Sequence, residues 1–248
     1  MDKNLIKHFC FDKDGIIIDV HAYWYYNSIL RAEYIINYLK LDPSINGDLL
    51  WAMGINPNTR KIKKDGPVGY YPRNIVIEHI TEFLKENNKK ITNIEVSQIF
   101  SDLDVVQQKN NDYNVQILSG VKRCLQYLQR KGLFISIYTS DRHLNAKKNL
   151  DKKGITELIH LIVGGDDVDK SKPHPEGFLK ACNDLKVHPN QSVYVGDTVS
   201  DMVMGKRAAA AMVVGLETGL FKSIDFRKET KYIYPSMIEF NAEIKQYL

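Results

Sequence analysis

Short apolar runs that stop at polar, chemistry-bearing residues narrow the folds open to this sequence. Leu5 to Phe11 stops at Asp12, and Leu133 to Tyr138 stops at Thr139. Ser192 to Val195 runs into Gly196 and Asp197, while His160 to Val163 and Ala211 to Val214 complete the series. Runs this short and apolar read as strands buried on both faces. Helix-period stretches lie between them. Val121, Cys124, Leu125 and Leu128 share one face, and Gly132 closes that helix. Phe178, Ala181, Cys182 and Leu185 repeat the pattern. Strands alternating with helices predict an α/β fold, a parallel sheet covered on both faces.

Residues 20–114 break the rhythm. Ile29, Leu30, Ile36 and Leu39 predict the apolar face of one helix. Pro72 is placed to open a second, with Val76, Ile80, Phe83 and Leu84 on one side, and Ile94 to Val106 is a third. A polar stretch, Asn56 to Gly69, separates the first two. The expected organisation is an α/β core from residues 1–19 and 115–248, interrupted after its first strand by a helical domain of residues 20–114.

Bulk properties exclude several classes. The chain has 248 residues, 44% hydrophobic and 26% charged, so it can bury a full core and is neither disordered nor collagen-like. A net charge of +4 is too small for a nucleic-acid partner, which calls for a concentrated basic face. The first residues are charged, which does not suit a signal peptide, and no run approaches the ~18 apolar residues of a membrane span. Cys10, Cys124 and Cys182 fit no disulfide or metal spacing and read as buried thiols. A soluble, cytoplasmic protein is expected, without membrane or nucleic-acid partners; the oligomeric state is left open.

Ligands of open α/β sheets bind at the carboxyl ends of the strands. There the sequence places Asp12, Lys13, Asp14 and Gly15, then Thr139, Ser140 and Asp141, then Gly196, Asp197 and Asp201, with Lys172 between the last two groups. Asp12 and Asp14, two residues apart, point the same way if extended, and their repulsion raises the pKa of at least one. That suits an ionised nucleophile beside a protonated acid. Asp197 adds a third carboxylate. Such a cluster needs a cation, and all-oxygen ligands suit Mg²⁺. Singly, each residue has a plainer reading: an aspartate after a strand is a turn residue, Asp141 an N-cap, Lys172 a solvated lysine and His174 a turn histidine. Together, and in this order, they point to chemistry.

These residues resemble the motifs of the haloacid dehalogenase superfamily, in particular its phosphatases with a helical cap inserted after the first strand. Phe-Asp-Lys-Asp-Gly at 11–15, with Asp19 following, resembles the first motif; Ile-Tyr-Thr-Ser at 137–140 the second; Lys172 in Lys-Pro-His-Pro-Glu the third; and Gly196-Asp197-Thr-Val-Ser-Asp201 the fourth. Ile16 departs from the Thr or Val usual after the motif glycine. The resemblance implies a Rossmann-like core and an Mg²⁺-dependent phosphohydrolase acting on a small phosphorylated metabolite through a phospho-aspartate. It implies Asp12 as nucleophile and Asp14 as general acid and base. Thr139, Ser140 and Lys172 would bind phosphate. Asp12, the Asp14 carbonyl, Asp197 and Asp201 would serve the metal.

A mutase of the β-phosphoglucomutase kind shares these motifs and remains open. A true dehalogenase needs neither Asp14 nor Asp197, and a silent regulatory protein should have lost a reacting group, whereas none is missing. Leaving-group selection is expected within residues 20–114. His21, Tyr23 and Trp24 lie at the hinge, and Arg31, Lys61, Lys63, Lys64 and Arg73 supply cations. Arg31 and Arg73 are the candidates for meeting a second anionic group, although a solvated basic face accounts for the same charges.

Overall fold

A computed structural model describes residues 6–64, 66–71, 73–110, 115–220 and 223–247. The chain divides into two compact units, Met1–Asp19 with Val115–Leu248, and Val20–Asn114. Leu5 and Pro72, expected to begin a strand and a helix, lie outside the described residues.

The first unit is built on six strands: β1 (His8–Phe11), β2 (Phe134–Tyr138), β3 (Leu161–Val163), β4 (Ser192–Gly196), β5 (Met212–Leu216) and β6 (Tyr232–Tyr234). Their order is β3-β2-β1-β4-β5-β6, and every pairing is parallel. This is the doubly wound order, which reverses direction beside β1 and opens a crevice at the carboxyl ends there. Phe11 stands level with Ile137 of β2 and Val195 of β4, so three strands end together. The short β6 was not expected from the sequence. Its three residues are only half-buried, so it lacks the apolar signature of the central strands.

In the second unit, α1 (Val20–Leu39), α2 (Asn46–Ala52), α3 (Arg73–Glu86) and α4 (Asn93–Asn110) pack with a two-residue antiparallel pair, Ile55–Asn56 with Lys61–Ile62. Apart from Ile55, that pair falls in the polar stretch Asn56 to Gly69 that separates the first two helices. Val76, Ile80 and Leu84 of α3 are buried as expected, whereas Phe83 is only half-buried. The buried stripe of α1 is not the expected one. It comprises Val20, Asn27, Ser28, Arg31, Ala32, Ile35 and Ile36, whereas Ile29, Leu30 and Leu39 are only half-buried. Hydropathy periodicity missed it because Asn27, Ser28 and Arg31 within it are polar.

Helices α5 (Val121–Arg130), α6 (His143–Lys152), α7 (Glu176–Asp184), α8 (Val199–Arg207) and α9 (Met237–Tyr247) belong to the first unit. Alternation along β1 sends its side chains to opposite faces of the sheet. Phe9 and Phe11 stack on one face, where Phe9 meets Phe240 of α9. His8 and Cys10 face the other way, towards Phe178 and Cys182 of α7. The three cysteines are buried and form no disulfide. Among the described residues, no helix is long and apolar enough to cross a membrane.

His8 is fully buried, with Nε2 2.7 Å from Ser136 Oγ and Nδ1 3.0 Å from Ser192 Oγ. Burial, reinforced by His160, lowers its pKa from 6.5 to about 4. The unfolded chain therefore binds more protons than the folded one between those values, and folding stability rises with pH across that window. We predict that His8 contributes a loss of about 3 kcal/mol as pH falls from 6.5 to 4, and no further loss below. Urea unfolding should show this slope in the native chain and a shallower one in His8→Gln. Equal slopes would show that His8 is not the responsible group.

Candidate active site

The central strands converge on a set of buried charges. Asp12 follows β1 directly, and its N–H extends the ladder to Val195 O at 2.8 Å. Asp197 follows β4, and Asp201 lies in the first turn of α8. One carboxylate oxygen from each of these three aspartates lies within 4.8 Å of the others, and all three residues are buried. Lys172 reaches in from the segment before α7. Its Nζ lies 2.5 Å from Asp12 Oδ1 and 2.8 Å from Asp201 Oδ1, with its side chain 8% exposed.

Three carboxylates against one ammonium leave the group short of positive charge. Burial pushes Asp12 up to about 7, against the pull of Lys172 and with Asp201 and Asp14 adding to the rise. Burial, then Asp12 and Asp201, raise Asp197 well above its ordinary value. Asp201 goes the other way. Burial opposes its ionisation, but Lys172 and hydrogen bonds from Thr198 and Tyr194 hold it below its ordinary value. Its Oδ2 accepts from Thr198 Oγ1 at 2.6 Å in a reciprocal capping box, and its Oδ1 from Tyr194 OH at 3.0 Å. Lys172 is held charged by Asp12 and Asp201 in spite of burial. It lies over the rings of Tyr138 and Tyr194, at 5.0 and 5.6 Å from their centroids.

The donor set fits a divalent cation. All the acidic donors are oxygens, Asp197 Oδ1 is buried without a hydrogen-bond partner, and the charge deficit matches a dication. Asp12, Asp197 and Asp201 are the side chains placed to serve it. The Asp14 carboxylate is not among them, although its peptide carbonyl is the donor that the motif resemblance implies. Extended geometry ends at Phe11, and residues 13–18 turn back on themselves: Ile17 and Ile18 N–H both donate to Lys13 O, at 2.9 Å, and Gly15 takes φ +83°. Asp14 is thereby carried towards solvent, its side chain 43% exposed.

Lys13 was not singled out from the sequence, because the residue between the motif aspartates carries no chemical signal there. It is buried, with Nζ 3.1 Å from Asp14 Oδ2 and 3.0 Å from Asp141 Oδ2. Asp141 is therefore not the expected N-cap. The cap of α6 is Arg142, and Asp141 joins Lys13 on one side, while its own N–H donates to Thr139 Oγ1 at 3.1 Å. Thr139 is buried, whereas Ser140 beside it is exposed. His174 lies in a turn, its N–H bonded to Ser171 O. Gly219 was also missed. A side chain there would collide with the Asp197 carboxylate, as one at Gly15 would. Thr218 Oγ1 donates to Gly15 O at 2.5 Å, tying this loop to the motif turn. Arg31 and Arg73 lie in the helical unit, over the same Phe100 ring.

The model of the haloacid dehalogenase-like hydrolases matches residues 61–214. The phosphoglycolate phosphatase of Haemophilus influenzae is 28% identical over 144 residues, 58% of this chain and 64% of the relative. The pyrophosphatase PpaX of Halalkalibacterium halodurans is 30% identical over 146 residues, 59% of this chain and 68% of the relative. The chain thus spans about two thirds of the length of the curated relatives it matches, and slightly less of the first. The crystal structure of a predicted phosphoglycolate phosphatase from Haemophilus somnus superposes with a TM-score of 0.68 at 19% identity, covering 98% of this chain and 99% of that one; at this identity the likeness concerns the fold.

Removing one partner of a buried ion pair strands the others. Lys172→Met should lower stability in EDTA by about 3–5 kcal/mol, since Asp12 and Asp201 lose their counter-charge. Added Mg²⁺ should recover part of that loss. Chemical denaturation of both forms with and without the metal measures it, and an unchanged midpoint in EDTA would refute the buried pairing.

Proposed function

We propose that this chain, which belongs to the haloacid dehalogenase-like hydrolases, is an Mg²⁺-dependent phosphatase that removes phosphate from a small phosphorylated metabolite through an aspartyl phosphate. The observation that carries this reading is the buried set of Asp12, Asp197, Asp201 and Lys172 at the reversal point of the sheet.

Asp12 is the nucleophile in this reading. Its carboxylate oxygen forms a bond to phosphorus as the bond from phosphorus to the leaving oxygen breaks. Asp14, closer to solvent, gives its proton to the leaving oxygen. It then takes a proton from water, which attacks phosphorus, breaks the bond to Asp12 and frees inorganic phosphate. Lys13 holds the Asp14 carboxylate by an ion pair. Lys172 and Thr139 stabilise the phosphoryl oxygens, and Lys172 also opposes the rise that burial imposes on the Asp12 pKa. Mg²⁺, held by Asp12, Asp197 and the Asp14 carbonyl with Asp201 beside them, would offset the repulsion between the Asp12 carboxylate and the phosphate dianion.

Two outcomes test this. Chelation should abolish p-nitrophenyl phosphate hydrolysis and Mg²⁺ restore it, with Ca²⁺ a poor substitute because of its larger, looser coordination; full turnover in a metal-free sample would exclude the metal role. Asp12→Asn should be inactive, whereas Asp14→Asn should lose ~10²–10⁴-fold and accumulate phosphate on the peptide carrying Asp12 when given acetyl phosphate. Acid quench and mass spectrometry locate the label. A label elsewhere, or normal turnover by Asp12→Asn, would mean that Asp12 does not attack. A panel of phosphosugars separates release of free phosphate from its return to another hydroxyl, the outcome expected of a mutase.

A further inference from the structure

The helical unit carries an unusual buried cation. Arg31, on α1, is 9% exposed, and among the described residues its guanidinium has no carboxylate within ion-pair distance and no hydrogen-bond acceptor. It is held instead by aromatic rings, 5.4 Å from the centroid of Trp24 and 4.5 Å from that of Phe100. A second guanidinium, of Arg73 on α3, lies over the same Phe100 ring at 5.3 Å. Arg73 bonds Asp104 of α4 through Nη1, at 2.5 Å, but its Nη2 is buried without an acceptor among the described residues. Ser28 Oγ, one turn before Arg31 on the same face of α1, is also buried and unpartnered.

Charge and geometry agree. Among the described residues, the two guanidinium groups share one carboxylate, that of Asp104, which leaves one positive charge in excess. Burial, and then Arg73, pull the Arg31 pKa down to about 10, with Asp104 and Tyr23 opposing. Arg73 is the first residue of α3, where the helix dipole is positive and a cation is disfavoured unless an anion compensates it. A seam formed for packing alone would be apolar, since buried guanidinium donors left without acceptors destabilise a fold. Arg73 and Asp104 are 38% and 41% exposed, so the seam reaches solvent on their side.

We propose that the helical unit binds a small carboxylate or phosphate anion at the Arg31 guanidinium, with the inward Nη2 of Arg73 as a second donor. The anion supplies the missing acceptors and the missing negative charge. It can come from a second acidic group on the substrate or from a separately bound anion. The site stands apart from the phosphatase reading, and only its link to the leaving group rests on that reading.

The chain has two tryptophans, Trp24 and Trp51, so Trp51→Phe leaves Trp24 as a local reporter beside Arg31. In EDTA, titration of that full-length variant with lactate, and separately with inorganic phosphate, should change Trp24 emission saturably with at least one of them. Arg31→Lys and Arg73→Lys keep the charge but lose the planar fork, and each should weaken that binding about tenfold or more. No saturable change with either anion, or an unchanged Kd in both variants, overturns the proposal. Binding is read without turnover, so a chain that hydrolyses no phosphate ester leaves this test decisive. The source of the anion is read from KM. If Arg31→Lys raises KM for a phosphorylated hydroxy acid at least tenfold more than for p-nitrophenyl phosphate, the anion is part of the substrate. If that ratio stays fixed while lactate or phosphate binding weakens, the anion binds separately.

Discussion

Three buried carboxylates converge on a single lysine where the central strands end, and most features of the α/β unit serve that arrangement. Parallel pairing brings β1, β2 and β4 to a common edge, so that Asp12 and Asp197 emerge side by side. Charges this deeply buried destabilise a fold unless they are paired and hydrogen-bonded. The surroundings meet that demand unequally. Asp201 is fully engaged by Lys172, Thr198 and Tyr194, whereas Asp197 keeps an oxygen without a partner. The inequality separates a fixed anion that anchors Lys172 from one that still needs a positive partner.

The two motif aspartates differ because the backbone changes course between them. Asp12 remains in register with the sheet and is buried; Asp14 lies on a turn closed by Lys13 and Gly15 and is accessible. A carboxylate excluded from water interacts more strongly with nearby charges, while an accessible one can exchange protons with solvent. Lys13 ties this turn to its neighbour, since its ammonium holds Asp14 and Asp141 while the Asp141 N–H donates to Thr139 Oγ1. One buried lysine thus connects the first motif to the end of β2.

The helical unit has its own electrostatic problem. Its α1 buries polar residues where an ordinary amphipathic helix would bury aliphatic ones. Asn27 is satisfied by Gln107 across the α1–α4 contact, at 2.9 Å, and Arg73 in part by Asp104, but among the described residues Arg31 is met only by rings. Aromatic faces attract a guanidinium electrostatically yet leave its hydrogen-bond donors unused. Each unit thus holds buried polar groups whose pairing is incomplete, of negative sign in one and positive in the other.

Much of the α/β unit was legible in the sequence, because strands buried on both faces are apolar runs and the reactive groups must follow them. Periodicity and order alone placed Asp12, Thr139, Lys172, Asp197 and Asp201 at strand ends or on the segments between them. What escaped were residues whose roles depend on distant partners. Lys13 has meaning only beside Asp141, Gly219 only against Asp197, and Tyr194 reads as one more strand residue until its hydroxyl meets Asp201. The buried stripe of α1 was misread for a related reason: hydropathy assigns Asn27, Ser28 and Arg31 to solvent, and only packing against α4 turns them inward. Local pattern determined which segments are strands and helices, since each buries its own apolar face. Tertiary packing decided which polar groups share one space, because burial and pairing of charge are properties of neighbours in space and not of position along the chain.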